Sequence, residues 1–223
     1  MSTKMDVELR AHDGHRAPAF VCAPAGPPRG GVVVVQEIFG VNPHIRGVAR
    51  QFAREGWLAI APRLFERVAP GTELGYDAAG VARGRELVAA LGFDAALRDI
   101  HAAVGWLRTQ GVGAGVVGYC WGGTAALLAC TRMGVPAVSY YGGRSMDFLH
   151  EQPQAPLLLH FGARDPLIPA EHVAAQRQAF AVAEAHVYSA GHGFNCAERA
   201  DFDDDAAALA LQRTLAFLER HAR

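Results

Sequence analysis

The sequence predicts an α/β domain on a mostly parallel sheet with helices on both faces. Short apolar runs of strand length alternate with longer helical stretches along the chain, the pattern of strand–helix–strand units. The run Gly31 to Val35 is uninterrupted and β-branched, as in a strand covered on both faces. A five-residue segment, Gly118-Tyr119-Cys120-Trp121-Gly122, joins such a strand to an Ala- and Leu-rich helical stretch. Small residues on both sides of a nucleophile at a strand-to-helix junction allow the sharp turn that presents it.

In chain order, Val7–Arg10 and Ala19–Cys22 alternate polar and apolar residues around Asp13-Gly14, which predicts an N-terminal hairpin. Gly31–Val35 is the first buried strand. Asn42-Pro43 is an N-cap followed by proline at the first helical position, and the helix should end at Gly56. Trp57–Ala61 is a second buried strand, and Pro62–Tyr76, rich in Pro and Gly, reads as a loop. Two helical stretches follow, Ala78–Leu91 and Phe93–Arg108. Further strands are expected at Ala114–Tyr119, Ala137–Tyr141, Leu157–Phe161 and His186–Tyr188, with a closing helix over Ala206–His221.

Composition bounds the function. The 223 residues suit a single domain spanning 1–223, and 51% hydrophobic with 19% charged residues is ordinary globular usage. A formal net charge of −1 gives no general attraction to nucleic acid or anionic lipid. No apolar stretch is long enough to span a bilayer, and the N-terminus lacks the apolar core of a secretory signal, so a cytoplasmic protein is expected. The four cysteines, Cys22, Cys120, Cys130 and Cys196, show no paired or metal-finger spacing and read as free thiols. Cys130 falls on the apolar face of a helix, as a small core residue would. Nothing assigns an oligomeric state.

A cysteine nucleophile needs a base, and the base needs an orienting group. In a parallel sheet such groups gather beyond the carboxyl ends of the strands. The loop after Leu157–Phe161 contains Asp165, and the loop after His186–Tyr188 contains His192 between Gly191 and Gly193. Alone, Asp165-Pro166 is an ordinary turn and His192 an ordinary loop histidine. Together, nucleophile, acid and histidine follow one another as in the α/β-hydrolase fold, each after its own strand. The other nine histidines have no such partner pattern, and no H-E-x-x-H spacing appears, so neither a metal nor another cofactor is expected. Gln36-Glu37-Ile38-Phe39-Gly40 ends the first buried strand; there the Ile38 N–H can complete an oxyanion hole with that of Trp121. Glu37 places a carboxylate at the mouth of this strand, where negative charge would disfavour a nearby thiolate. Gly113-Ala114-Gly115-Val116-Val117-Gly118 spells G-x-G-x-x-G but precedes and includes its strand, with no acid downstream, so it is not a dinucleotide site.

With these residues the chain resembles the dienelactone hydrolase (carboxymethylenebutenolidase) family of α/β-hydrolases over nearly its whole length. The resemblance rests on residues 36–40, on Gly118–Gly123, on Tyr140-Tyr141-Gly142, on Asp165 with Ile168-Pro169, and on Gly191–Phe194. It implies a Cys120–His192–Asp165 triad acting on a small lactone or ester, and a pocket that includes Phe39 and Tyr141. It also implies that bound substrate displaces Glu37, which then takes the thiol proton. Substrate carboxylates in that family meet arginines; Arg83 is the counterpart of the first, with Arg85 as competitor. The second is missing from its usual place, and Arg199 lies further along. Two other readings stay open: a thiol sensor pairing Cys120 with Cys196, and a non-catalytic binding protein on the same fold.

Overall fold

Eight strands form one sheet in the order β1-β2-β4-β3-β5-β6-β7-β8. The computed structural model describes residues 3–223. β1 (Thr3–Arg10) and β2 (Arg16–Ala23) make the N-terminal hairpin, which joins β4 (Leu58–Pro62) antiparallel. Every other pairing is parallel, through β3 (Gly31–Val35), β5 (Ala114–Tyr119), β6 (Ala137–Tyr140), β7 (Leu157–Gly162) and β8 (Glu184–Tyr188). The chain has the α/β-hydrolase fold. Among the described residues no helix is long and apolar enough to cross a membrane.

Parallel strands need crossovers; among the described residues four of the five α-helices supply them and the fifth closes the chain. α1 (Pro43–Arg54) starts at Asn42, whose Oδ1 accepts the Ile45 N–H at 3.2 Å. Ile45, Val48, Ala49, Phe52 and Ala53 form its buried stripe, the 3.6-residue spacing of a helix facing the sheet. α2 (Ala78–Thr109) is broken at Gly92, where φ 68 and ψ 163 interrupt the helix. The break falls between the two stretches expected from the sequence, Ala78–Leu91 and Phe93–Arg108, so α2 is two helical segments meeting at a kink. α3 (Trp121–Met133), α4 (Ala170–Ala179) and α5 (Asp204–His221) complete the set. α5 begins two residues earlier than the apolar pattern implied, because Asp203 caps it by accepting the Ala206 N–H at 3.0 Å.

The core sits on both faces of the central strands. Val32, Val33, Val34 and Val35 are all fully buried, each contributing about 1.5–3 kcal/mol relative to exposure. Cys130 is also fully buried, as expected, and its thiol donates to the Ala155 carbonyl at 3.1 Å. The segment Pro62–Tyr76 is not all loop. A single 3-10 turn, Leu64–Arg67, buries Leu64 and Phe65 and points Arg67 at the buried Asp99 of α2. β8 starts at Glu184, two residues before the expected His186, because its half-exposed edge position leaves little apolar signal.

This topology sets the position of the reactive groups. β5 lies between β3 and β6, and all five strands from β3 to β8 on this side of the sheet run in one direction. Residues 36–38, 120, 141, 165 and 192 therefore all emerge at the same edge.

Candidate active site

The strand–helix turn at Cys120 is tight. Cys120 has φ 54 and ψ −117, a region that residues with a side chain seldom occupy. Its N–H donates to the Tyr140 carbonyl at 3.0 Å, and its own carbonyl accepts the Gly123 N–H at 2.9 Å, starting α3. A Cβ at Gly118 would overlap the Gly122 carbonyl, and one at Gly122 would overlap the Gln36 carbonyl. The two flanking glycines thus let the start of α3 press against the ends of β5 and β3.

His192 Nε2 lies 3.2 Å from Cys120 Sγ, and His192 Nδ1 lies 2.7 Å from Asp165 Oδ2. A carboxylate only accepts, so Nδ1 carries the hydrogen and Nε2 faces the sulfur. The other oxygen of Asp165 accepts the Leu167 N–H at 2.8 Å, which fixes the carboxylate in its turn. Both residues are nearly solvent-free, at 2% and 4% exposure, whereas Cys120 is half-buried and reachable. Burial alone would lower the His192 pKa. The sulfur of Cys120 and the Asp165 carboxylate outweigh it and push the imidazole up to about 10. The ring of Tyr141 packs 5.1 Å from that of His192.

Glu37 is fully buried. Tyr76 donates its hydroxyl to Glu37 Oε2 at 3.1 Å and accepts from Asn42 Nδ2 at 3.1 Å. Arg199 Nη1 lies 3.5 Å from Glu37 Oε1, close enough for charge attraction but not aligned as a hydrogen bond. Burial and the Glu37 charge hold the Tyr76 phenol far above its usual range. Burial works against the Arg199 charge, but Glu37 and then Cys120 more than compensate and raise its pKa.

Cys120 and His192 open into a cleft of ≈ 420 Å³ lined also by Ile38, Phe39, Trp121, Arg85, Arg144 and Arg199. Two slightly larger hollows lie elsewhere, ≈ 480 Å³ beside Arg132 and Phe148 and ≈ 470 Å³ beside His44. Neither reaches the Cys120–His192 pair.

The chain matches the dienelactone hydrolase family over residues 17–222. It is 34% identical over 223 residues to a carboxymethylenebutenolidase of Pseudomonas putida, covering 95% of this chain and 94% of that one. The chain belongs to the dienelactone hydrolase family. A dienelactone hydrolase candidate from Klebsiella pneumoniae superposes with a TM-score of 0.85 at 30% identity, over 99% of this chain and 100% of the other. A dienelactone-hydrolase-like promiscuous phosphotriesterase from metagenomic libraries shares the fold, with a TM-score of 0.78 at 23% identity over 99% of each chain. Family membership makes the chain an enzyme of the carboxylic ester and lactone hydrolase class.

In this member of the family, the residues singled out from the sequence fall into two groups. Cys120, His192 and Asp165 come together, and Ile38, Phe39 and Trp121 border the cleft beside them. Among the described residues, neither the Ile38 nor the Trp121 N–H donates to another backbone or side-chain group. Tyr141 is fully buried behind His192 rather than on the cleft wall. Arg83, expected at the cleft, is corrected by the structure: it is exposed and pairs with Glu86 one turn along α2 at 2.8 Å. Helix periodicity explains this, since residues two apart point to different faces, and Arg85 is the one that borders the cleft. Arg144 carried no sequence signal, and Arg199 only a weak one. Cys196 is fully buried, and burial pushes its thiol up to about 11, which disfavours the thiolate a redox partner of Cys120 would need.

Proposed function

We propose that this hydrolase cleaves small lactones or esters carrying a carboxylate, through a Cys120 thiolate and an acyl-thioester. The observation that carries this reading is the continuous line from Asp165 through His192 to the sulfur, at 2.7 Å and 3.2 Å, opening into the cleft. The thiolate attacks the carbonyl carbon. The oxygen, now negative, accepts from the N–H groups of Ile38 and Trp121. Collapse breaks the C–O bond, and His192 gives the departing oxygen its proton. Water then attacks the thioester while His192 takes a proton from it, and loss of the thiolate releases the acid. Asp165 orients the imidazole and offsets its charge throughout.

The carboxylate preference is supported by Arg85, Arg144 and Arg199 on the cleft wall. Arg199 is shared: it faces Glu37 and borders the cleft. A substrate anion competes for it, which frees Glu37 to accept the Cys120 proton as the ester arrives. No cofactor takes part in this scheme. One sheet running through the described chain supports a single domain, and four free cysteines fit a reducing cytoplasm. The test is turnover of a panel, a carboxylated lactone, neutral lactones and aryl esters, by the parent and Cys120→Ala proteins. Loss of all turnover in the variant, with the parent favouring the carboxylated lactone, is expected. Turnover that survives the substitution rules the mechanism out.

A further inference from the structure

Three metal-ligand side chains converge behind the cleft. Glu37 follows β3, His44 lies in the first turn of α1, and Cys196 lies in the loop after β8; one ligand atom from each falls within 4.8 Å of the others. Two of the residues carry unpaired buried atoms. Glu37 Oε1 and His44 Nε2 have no hydrogen-bond partner among the described residues; the first keeps only the charge attraction of Arg199 at 3.5 Å, and leaving a buried group such as the second unpaired costs about 1–3 kcal/mol. Cys196 is fully buried beside them.

The donor set is selective. One thiolate, one imidazole and one carboxylate form a mixed soft and hard set that matches a borderline-soft dication such as Zn²⁺. Bonds of about 2.0–2.3 Å in a tetrahedron hold ligand atoms about 3.3–3.8 Å apart. The three side chains therefore need only small rotations to close on an ion. The ion would displace the proton of the Cys196 thiol to solvent, and the resulting thiolate with the Glu37 carboxylate would neutralise it. Arg199 opposes the ion, but its side chain is 21% exposed and can turn toward solvent.

There is also a way in. The ≈ 470 Å³ groove lined by His44, Asn195, Ala197 and Glu198 reaches the His44 member of this cluster without passing Cys120, and Glu198 is exposed on its wall. An exposed carboxylate there attracts a cation toward His44.

We propose that Glu37, His44 and Cys196 form a binding site for a zinc-class divalent cation. Loading the site holds Glu37 in place and so inhibits hydrolysis. That consequence rests on the role of Glu37 proposed above, whereas the binding does not.

The experiment uses the full chain carrying Cys120→Ala, so that the Cys120–His192 pair cannot hold the ion. After metal is stripped, Zn²⁺ alone is titrated in competition with a chromogenic zinc chelator, and Co²⁺ is used to look for a thiolate charge-transfer band. One ion per chain is expected. Adding Cys196→Ser should weaken binding at least about tenfold and remove the cobalt–thiolate band. His44→Gln should weaken it similarly, with circular dichroism confirming that each variant is folded. Equal affinity in both variants, or no ion bound by the Cys120→Ala chain, overturns the site. Inhibition of the parent by Zn²⁺ that Cys196→Ser relieves supports the inhibitory role. Stoichiometric binding with undiminished turnover keeps the site and overturns the role given to Glu37.

Discussion

Cys120 sits at φ 54 and ψ −117, so comparing Cys120→Gly with Cys120→Ala isolates the strain of the elbow. Both variants lack the thiol and its contact with His192, so those losses cancel. Alanine keeps a Cβ in a sparsely populated region, at a cost of about 1–3 kcal/mol. Glycine escapes that strain but loses more chain entropy on folding, about 0.5–1 kcal/mol. It also forgoes a part-buried methyl worth under about 0.8 kcal/mol. The balance favours glycine by about 1 kcal/mol. For a chain of this size that is a rise in melting temperature of about 2–4 °C. Urea and thermal melts of the two proteins, side by side, measure it. A glycine variant that melts at or below the alanine variant refutes the claim that the nucleophile is held at the expense of stability.

Further outcomes follow from particular contacts. Arg67 makes two bonds of 2.8 Å to the buried Asp99, so Arg67→Ala should cost about 3–5 kcal/mol in urea unfolding by leaving that charge unpaired. Arg67→Met with Asp99→Leu together should cost less than Arg67→Ala alone. The His192 pKa is raised from 6.5 to about 10, so its contribution to stability is complete below pH 6.5 and is lost as pH rises through about 10. NMR titration should find the His192 pKa well below 10 in Cys120→Ala, and a flatter stability profile between those pH values. Arg199→Ala should raise KM for a carboxylated lactone about 10–100-fold, the loss of one charged hydrogen bond, with little effect on a neutral ester. Arg83→Ala should leave both unchanged, as its pairing with Glu86 on the surface implies.

Much of the fold was readable from the sequence because the central strands carry unusually pure signals. Gly31–Val35 and Ala114–Tyr119 begin and end where their apolar runs do, since burial on both faces leaves no polar residue to blur the ends. The Asn42-Pro43 start of α1 was equally legible, because cap and proline act locally. Leu64–Arg67 was not: a turn of four residues among prolines and glycines has no periodicity, and it is held by Gln36, whose Oε1 accepts the Leu64 N–H from 28 residues away.

The site divides the same way. Cys120, Asp165 and His192 could be found because each follows a recognisable strand, and parallel topology brings strand ends together. The surroundings of Glu37 could not, because Tyr76 and Arg199 reach it from two distant segments, and Asn42 acts only through the Tyr76 hydroxyl. Residue spacing from His192 does not reveal Arg199 either. Gly193, at φ 79, turns the chain so that Arg199 packs back against it and faces the cleft. Arg144 follows Tyr141, whose φ of 40 redirects the chain after β6, a feature that residue type does not announce.

The proposed chemistry requires the acyl group to pass through Cys120. Rapid acid quenching during turnover of an aryl ester, followed by mass spectrometry of the intact chain and its peptides, tests this directly. The expected result is an acyl adduct confined to the peptide containing Cys120, absent from Cys120→Ala, which turns over nothing. An acyl group on another residue, or parent-like turnover by Cys120→Ala, contradicts the account.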